Sequence, residues 1–503
     1  MSTLDLPLPN KIITSYGYSI EKSSLSPEKL IEIKSALTME PKGPPAYQKT
    51  NSFPIYAESR TRLYLPRAWG EEYFGPADAN WLPDGIDLPV SLQPAGNPYD
   101  YQENIIQTII DKGVRGLLCV PCGKGKTFMA LHIAGRIRKR FLVVVDKEFL
   151  LEQWKGEIAS ALPGARVGIL RMDKAQVEPA QYDITICMIQ TLSQRQWPEN
   201  FFSGFGLAIF DECHHLGAAH FSKALHKVQT PYMLGLSATP QREDGLTKVF
   251  EAFLGKPIYW EKQRDPDESV VVRAIHFNND DNAYTDVPTD WKGTVITARL
   301  LTQLVSFAPR NILIINLLKE LIADSRRYTL VLSERKSHLE WIEEGLKTMN
   351  ASYGYYIGGM KQTDRDTNAA DKQVLLATYA MASDALNIKK LNCVVLASPR
   401  KNVEQSTGRI LRQRPEERQL DPLIIDVIDS HGIYQGQWRK RTTYYKKCKY
   451  TFKHQYIGNS GEIIKDDPAA DSDTDVSDEE DSSAKKSTKR KSKKEETYDF
   501  VDE

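Results

Sequence analysis

Residues 116–134 read Gly-Leu-Leu-Cys-Val-Pro-Cys-Gly-Lys-Gly-Lys-Thr-Phe-Met-Ala-Leu-His-Ile-Ala. Gly123 and Gly125 carry no side chains, so backbone N–H groups can close around phosphate oxygens there. Lys124 lies in the same loop. Lys126 is spaced to reach β- and γ-phosphates, and the Thr127 hydroxyl can ligate magnesium. The usual pattern places its first glycine where this chain has Val120. A second group is Asp211-Glu212-Cys213-His214-His215. Asp211 can hold magnesium, directly or through water, and Glu212 can polarise an attacking water as a base. A third runs from Gln405 to Arg412. On a helix Gln405, Arg409 and Arg412 share one face. Two guanidinium groups can stabilise charge on a transferring γ-phosphate, and Gln405 can orient the water. Singly these are a tight turn, a loop cap and a solvated basic face. Together they point to phosphoryl transfer from ATP with Mg2+.

Such chemistry needs strands that end where these residues begin. Leu117–Val120 is a short apolar run and reads as a buried strand, with an apolar-periodic helix from Lys126 onward. The run 206–210 enters Asp211 in the same way. Further strands are expected at Phe141–Val145, Ile184–Ile189 and Tyr232–Leu236, with a helix over Lys147–Ile158. Strands alternating with helices make a doubly wound parallel sheet whose ligands sit at the carboxyl ends of the strands. Alternation resumes after a polar passage (Lys262–Glu268 and Asn278–Asp290). Helices are expected at Arg310–Asp324 and Lys336–Met349. Strands are expected at Tyr328–Leu332, Val374–Ala377, Cys393–Ala397 and Leu423–Ile428. This second unit has no phosphate loop, so the arginine segment is its contribution to a shared cleft. Gln102, at a helix start, either bonds an adenine edge or is a plain surface residue.

The domain reading is 1–95, a small accessory domain; 96–262 and 263–462, two parallel-sheet domains; and 463–503, a tail. The 503 residues carry no net charge, yet 463–503 holds 14 acidic and 8 basic residues, a net of −6. The body is correspondingly basic, which suits a polyanionic partner. The tail is disordered by composition, and its Lys/Arg-rich part can act as a nuclear-import patch. No apolar run approaches about eighteen residues and no signal peptide is seen, so neither membrane nor secretion is indicated. Six cysteines without a paired framework fit a reducing, intracellular setting. From Tyr434 to Tyr456 basic and aromatic residues interleave, as either a nucleic-acid path or a helix with its aromatics packed inward.

The order of these motifs resembles that of superfamily 2 helicases of the DExH type. The resemblance covers about residues 98 to 430: Gln102, the phosphate loop, Asp-Glu-x-His, Ser237-Ala-Thr239, then Gln-x-x-Gly-Arg-x-x-Arg. Ser-Ala-Thr-Pro followed by Arg242-Glu243-Asp244 is similar to the XPB/UvsW branch. Other segments resemble helicases of large cytoplasmic DNA viruses, including the poxvirus transcript-release type. The resemblance implies an α/β protein with two tandem RecA-like domains. It further implies that His214, Ser237 and Thr239 couple hydrolysis to movement. Lys147, Thr191, Arg242 and Thr378 would lie near nucleic acid, and Asn387, where relatives place an Asp, near the ribose. The expected activity is an ATP-dependent helicase or translocase on DNA. The alternatives are an RNA helicase and a nucleic-acid scaffold with weak ATPase. Nucleic acid and transcription or replication machinery are the expected partners. The chain is expected to be monomeric and off the membrane, in host cytoplasm, virion or nucleus.

Overall fold

Apolar runs that no water-facing alternation interrupts become the centres of two large sheets. The structure is a computed structural model. It describes residues 9–42 and 51–467, apart from 122, 199, 218, 243, 263–264, 385–387, 412 and 414. In the first lobe the strands lie across the sheet in the order Lys174–Ala175, Val167–Arg171, Ile184–Met188, Phe141–Val145, Leu207–Phe210, Tyr232–Ser237, Arg115–Cys119, Pro257–Trp260. All neighbours are parallel except the Val167–Arg171 and Lys174–Ala175 hairpin. Helices cover both faces, and Phe141–Val145, Ile184–Met188 and Leu207–Phe210 are buried along their whole length. That is why they read as unbroken hydrophobic runs.

The second lobe repeats the plan. Its order is Tyr353–Tyr356, Val374–Thr378, Thr329–Ser333, Cys393–Leu396, Leu423–Asp429, Val271–Phe277, Thr451–Ile457, Ile463–Asp467. Only the last pairing is antiparallel. These are two tandem RecA-like domains. Each carries one apolar cluster on either face of its sheet.

The N-terminal residues form a five-stranded sheet (Ala57–Glu58, Arg62–Leu65, Gly17–Glu21, Lys11–Thr14, Ala79–Asn80). This sheet does not close a core of its own. Ile13, Tyr18, Leu63 and Leu65 join Leu117, Phe210, Phe250 and Phe253 in one continuous cluster. Arg67 donates to the carbonyls of Thr230 and Pro231 at 3.2 and 3.3 Å.

At the C-terminal side one open alternative is decided, in favour of the helix with inward-packed aromatics, and one expectation changes. The interleaved stretch is a helix, Gly432–Lys447, followed by the strand Thr451–Ile457. Trp438, Tyr445 and Tyr450 are buried in the core, which removes them as stacking platforms. Arg441 is also buried, paired with Asp426 at 2.7 Å. Finally, Ile463–Asp467, read as the head of the tail, adds a strand to the sheet. Residues 468–503 lie outside the described residues. Among the described residues no single helix is long and apolar enough to cross a membrane.

Candidate active site

The phosphate loop hangs between the strand Arg115–Cys119 and the helix Lys126–Ile137. Gly123 and Gly125 have φ of 90° and 83°, a region that side chains strain to reach, so glycine is required at both. The loop is braced from the preceding helix, Asp100–Asp111. Gln102 Nε2 donates to the Lys124 carbonyl at 3.1 Å, and its Oε1 accepts from the Tyr99 N–H at 3.1 Å. Gln102 is only 4% exposed. The structure therefore makes Gln102 a strut for the loop rather than a free amide presented to a base. Lys124 also departs from expectation. Its ammonium pairs with Glu261 at 3.1 Å and with Asp265, on the segment leading to the second lobe. Its backbone stays in the cradle while its side chain turns to that segment.

Lys126 opens its helix and lies 3.5 Å from Glu212 Oε1. Burial pushes the Glu212 carboxyl up, but the neighbouring positive charges, Lys126 foremost, more than offset this, and the net direction is down. Glu212 thus stays ionised as a base must. Its Oε2 is buried and has no hydrogen-bond partner among the described residues. Its backbone sits at φ 43°, a left-handed conformation that costs about 1–2 kcal/mol in a residue with a side chain.

Beside it, Asp211 Oδ2 accepts from Trp154 Nε1 at 2.8 Å, and Oδ1 from the Glu212 N–H at 3.0 Å. Burial, then the Glu212 charge, pushes its carboxyl up to about 6. A carboxylate held this dry, together with the Thr127 hydroxyl at the start of the phosphate-loop helix, is a donor set that fits a hard divalent cation. Trp154 was legible only as part of an amphipathic helix; nothing in its spacing announced a partner 57 residues away.

His214 Nδ1 meets Ser237 Oγ at 3.0 Å, and Ser237 Oγ accepts from the Thr239 N–H at 3.2 Å. Burial lowers His214 to about 4, so the ring is neutral. Thr239 is half-buried at the start of the same turn. The second histidine goes elsewhere: His215 Nδ1 lies 2.6 Å from Asp146 Oδ2.

In the second lobe the expected long helix is not formed. One α-turn, Glu404–Thr407, passes into a 3-10 turn, Gly408–Ile410. The change of pitch shifts Arg409 relative to Gln405 from the spacing a continuous helix would give, because 3-10 residues advance by about 120° rather than 100°. Gln405 is half-buried. Arg409 is 7% exposed, and it is the least of the charges that lower the Glu212 carboxyl. Arg412 and Asn387 lie outside the described residues.

The expected nucleic-acid residues divide. Lys147 caps the helix Glu148–Ala161 and Thr378 ends its strand, both at carboxyl edges. Thr191 is 7% exposed, and its hydroxyl accepts from the Met172 N–H at 3.0 Å. Arg242 is turned inward. Its guanidinium grips Asp244, with Nε 2.9 Å from Oδ1, and donates to the His214 carbonyl. That residue locks the acidic turn instead of offering its charge to a strand.

The helicase family model described as the type III restriction enzyme, res subunit, matches residues 95–242. The helicase conserved C-terminal domain matches 313–414. A putative ATP-dependent RNA helicase of Acanthamoeba polyphaga mimivirus is 32% identical over 469 residues, covering 89% of this chain and 87% of that protein. A putative ATP-dependent RNA helicase of African swine fever virus is 27% identical over 409 residues, 74% of this chain and 78% of its own. A probable helicase of Escherichia phage T5 is 28% identical over 341 residues, 65% and 71% respectively. Among solved structures, T4 UvsW aligns over 86% of this chain and 96% of its own at 17% identity and TM-score 0.32. That superposition is loose, and the assignment rests on sequence. The chain belongs to the superfamily 2 helicases, in the group carried by large DNA viruses. It is an ATP-hydrolysing helicase, and as such it binds nucleic acid.

Proposed function

We propose that the chain steps along a nucleic-acid strand by opening and closing the cleft between its lobes around ATP. The observation that supports this is the acidic turn of the first lobe, where Lys126 lies 3.5 Å from Glu212 Oε1 and Trp154 fixes Asp211 at 2.8 Å. Lys126 and the backbone of 123–127 hold the triphosphate. Glu212 takes a proton from the attacking water, and its buried Oε2 is suited to that water. Arg409 stabilises charge on the transferring phosphoryl group, with Gln405 beside it. Thr127 and Asp211 would hold magnesium, which would supply positive charge to the triphosphate when bound. The His214–Ser237–Thr239 chain links the acid to the next strand, a route by which hydrolysis can alter the lobe's grip.

The strand chemistry is a finer matter. The sequence resemblance favours DNA, whereas the mimivirus and African swine fever virus relatives carry the name RNA helicase. We favour DNA. The test is a stimulation panel: ATPase rate with single-stranded DNA, duplex DNA, forked DNA and RNA at one stated salt concentration. Stronger stimulation by DNA is expected. Stimulation by RNA alone would overturn the DNA reading, and no stimulation by any strand would overturn the translocase reading.

A further inference from the structure

The strand Pro257–Trp260 closes one edge of the first lobe's sheet beside Arg115–Cys119, with Trp260 opposite Cys119. The next residue continues the ladder, because the Glu261 N–H donates to the Cys119 carbonyl at 2.9 Å. The chain therefore leaves the first lobe at the root of the phosphate loop. Side chains tie it there a second time. Lys124, between the two loop glycines, pairs with Glu261 Oε1 at 3.1 Å and with Asp265. A backbone bond and an ion pair thus join the loop to the segment that runs on to the second lobe.

Lys124 is held from two sides. Its carbonyl accepts from Gln102 Nε2 at 3.1 Å and from the Tyr101 hydroxyl at 3.3 Å, both on the helix Asp100–Asp111. Its ammonium lies 5.2 Å from the centre of the Tyr101 ring. Burial alone would push that ammonium down, but Asp265 and Glu261 outweigh it, the net direction is up, and the cation stays charged. The Lys124 and Glu261 side chains are 20% and 18% exposed, which protects the pair from full screening by salt. A phosphate cradle needs only the backbone N–H at position 124, with Lys126 supplying the charge. The side chain at 124 is therefore left for another task.

We infer that Glu261 is a positioning residue: through Lys124 it makes the phosphate loop's hold on ATP depend on the course of the segment that joins the lobes. Asp265 is the second arm of the same clamp. The inference rests on the cleft reading given above and deepens it. When the lobes close around a strand, the joining segment moves with them, and the ion pair passes that movement to the backbone N–H groups of 123–127. Coupling of this kind is reciprocal: a bound strand tightens ATP, and ATP tightens the strand.

The test uses the full chain, the double variant Glu261→Gln with Asp265→Asn, and Glu261→Asp. Affinity for a fluorescent non-hydrolysable ATP analogue is titrated with and without saturating oligothymidylate or oligouridylate, and ATPase kcat is measured beside it. In the unmodified chain one or both strands should tighten the analogue by about fivefold or more. In the double variant the tightening should fall below about twofold, while kcat with strand stays within about threefold, because Glu212 and Arg409 are untouched. Its melting temperature should stay close to that of the unmodified chain, since a partly exposed ion pair contributes little to stability. Glu261→Asp, which keeps the charge, should retain most of the tightening. Full strand-dependent tightening in the double variant overturns the inference. So does a lower melting temperature with loss of kcat, which is what a merely structural pair would give. An unmodified chain whose affinity neither strand alters defeats the cleft reading itself, and that outcome is recognised before any substitution is made.

Discussion

The two lobes use buried charge in opposite ways. In the first, the polar groups face one another inside the site: Lys126 on Glu212, Trp154 on Asp211, His214 on Ser237, His215 on Asp146. In the second, the buried ion pairs stand behind the site. Arg310 forks onto Asp429 at 2.8 and 3.0 Å, both fully buried, and also donates to the Ala397 carbonyl at 2.7 Å. Arg441 forks onto Asp426 at 2.7 and 2.9 Å and donates to the Arg400 carbonyl at 2.6 Å. Those two carbonyls bracket the loop that leads to Glu404–Thr407 and Arg409. The first lobe is a reactive network, and in the second the buried ion pairs form a frame behind Arg409. Fixed presentation matters because a displacement of about 1 Å can cost about a hundredfold in rate.

Arg409→Ala should therefore give the largest effect, a fall of about 10³–10⁵ in ATP turnover, with ATP binding retained because Lys126 and its loop lie on the other lobe. Arg409→Lys should not restore turnover, since an ammonium lacks the planar fork. Steady-state ATPase and nucleotide titration check both, and turnover within tenfold of the unmodified chain would erase the division between lobes. Next comes Glu212→Gln. It keeps the volume but cannot take a proton, so turnover should fall by about 10²–10⁴ with ATP affinity little changed.

What could be read in the sequence follows the same division. Strands such as Phe141–Val145 and Leu207–Phe210 announced themselves because both faces are buried and the apolar run is unbroken. Val271–Phe277, central in the second sheet, did not. Arg273 and His276 interrupt its run because they meet Gln455 and His454 on the neighbouring strand. The strands of the N-terminal sheet, two to five residues long, are too short for a period to show. Lys126, Asp211 and Glu212 were legible because their spacing to glycines and strand ends is local. Trp154 and the Lys124–Asp265 pair were not, being contacts over 57 and 141 residues. The arginine segment misled where a helical period was carried across Gly408 into a 3-10 turn.

The frame itself can be tested by stability. Asp429→Ala leaves the Arg310 charge buried and unpaired and should destabilise the protein by about 3–5 kcal/mol. Glu103→Gln at the exposed Arg136 pair should cost about 0–1 kcal/mol. Urea midpoints measure the contrast. Equal losses would mean that Arg310–Asp429 is not a framing element but an ordinary ion pair.

The smallest effect expected on turnover is also the one that most sharpens the role of the first lobe. Trp154 is 1% exposed, and its indole N–H fixes one oxygen of Asp211, while the backbone of Glu212 fixes the other. Trp154→Phe keeps an aromatic ring in the core but removes the donor. Partners that orient a metal-binding carboxylate are worth about 10–100-fold in metal affinity. The magnesium concentration for half-maximal ATPase should therefore rise by about that factor. Turnover at saturating magnesium should stay close to that of the unmodified chain, because Glu212 and Arg409 are untouched. A variant that loses turnover at every magnesium concentration would show that the tryptophan supports the fold of the acidic turn as a whole. An unchanged magnesium profile would show that the Glu212 N–H alone suffices to orient Asp211. Only a shift along the magnesium axis separates an oriented ligand from a packed side chain.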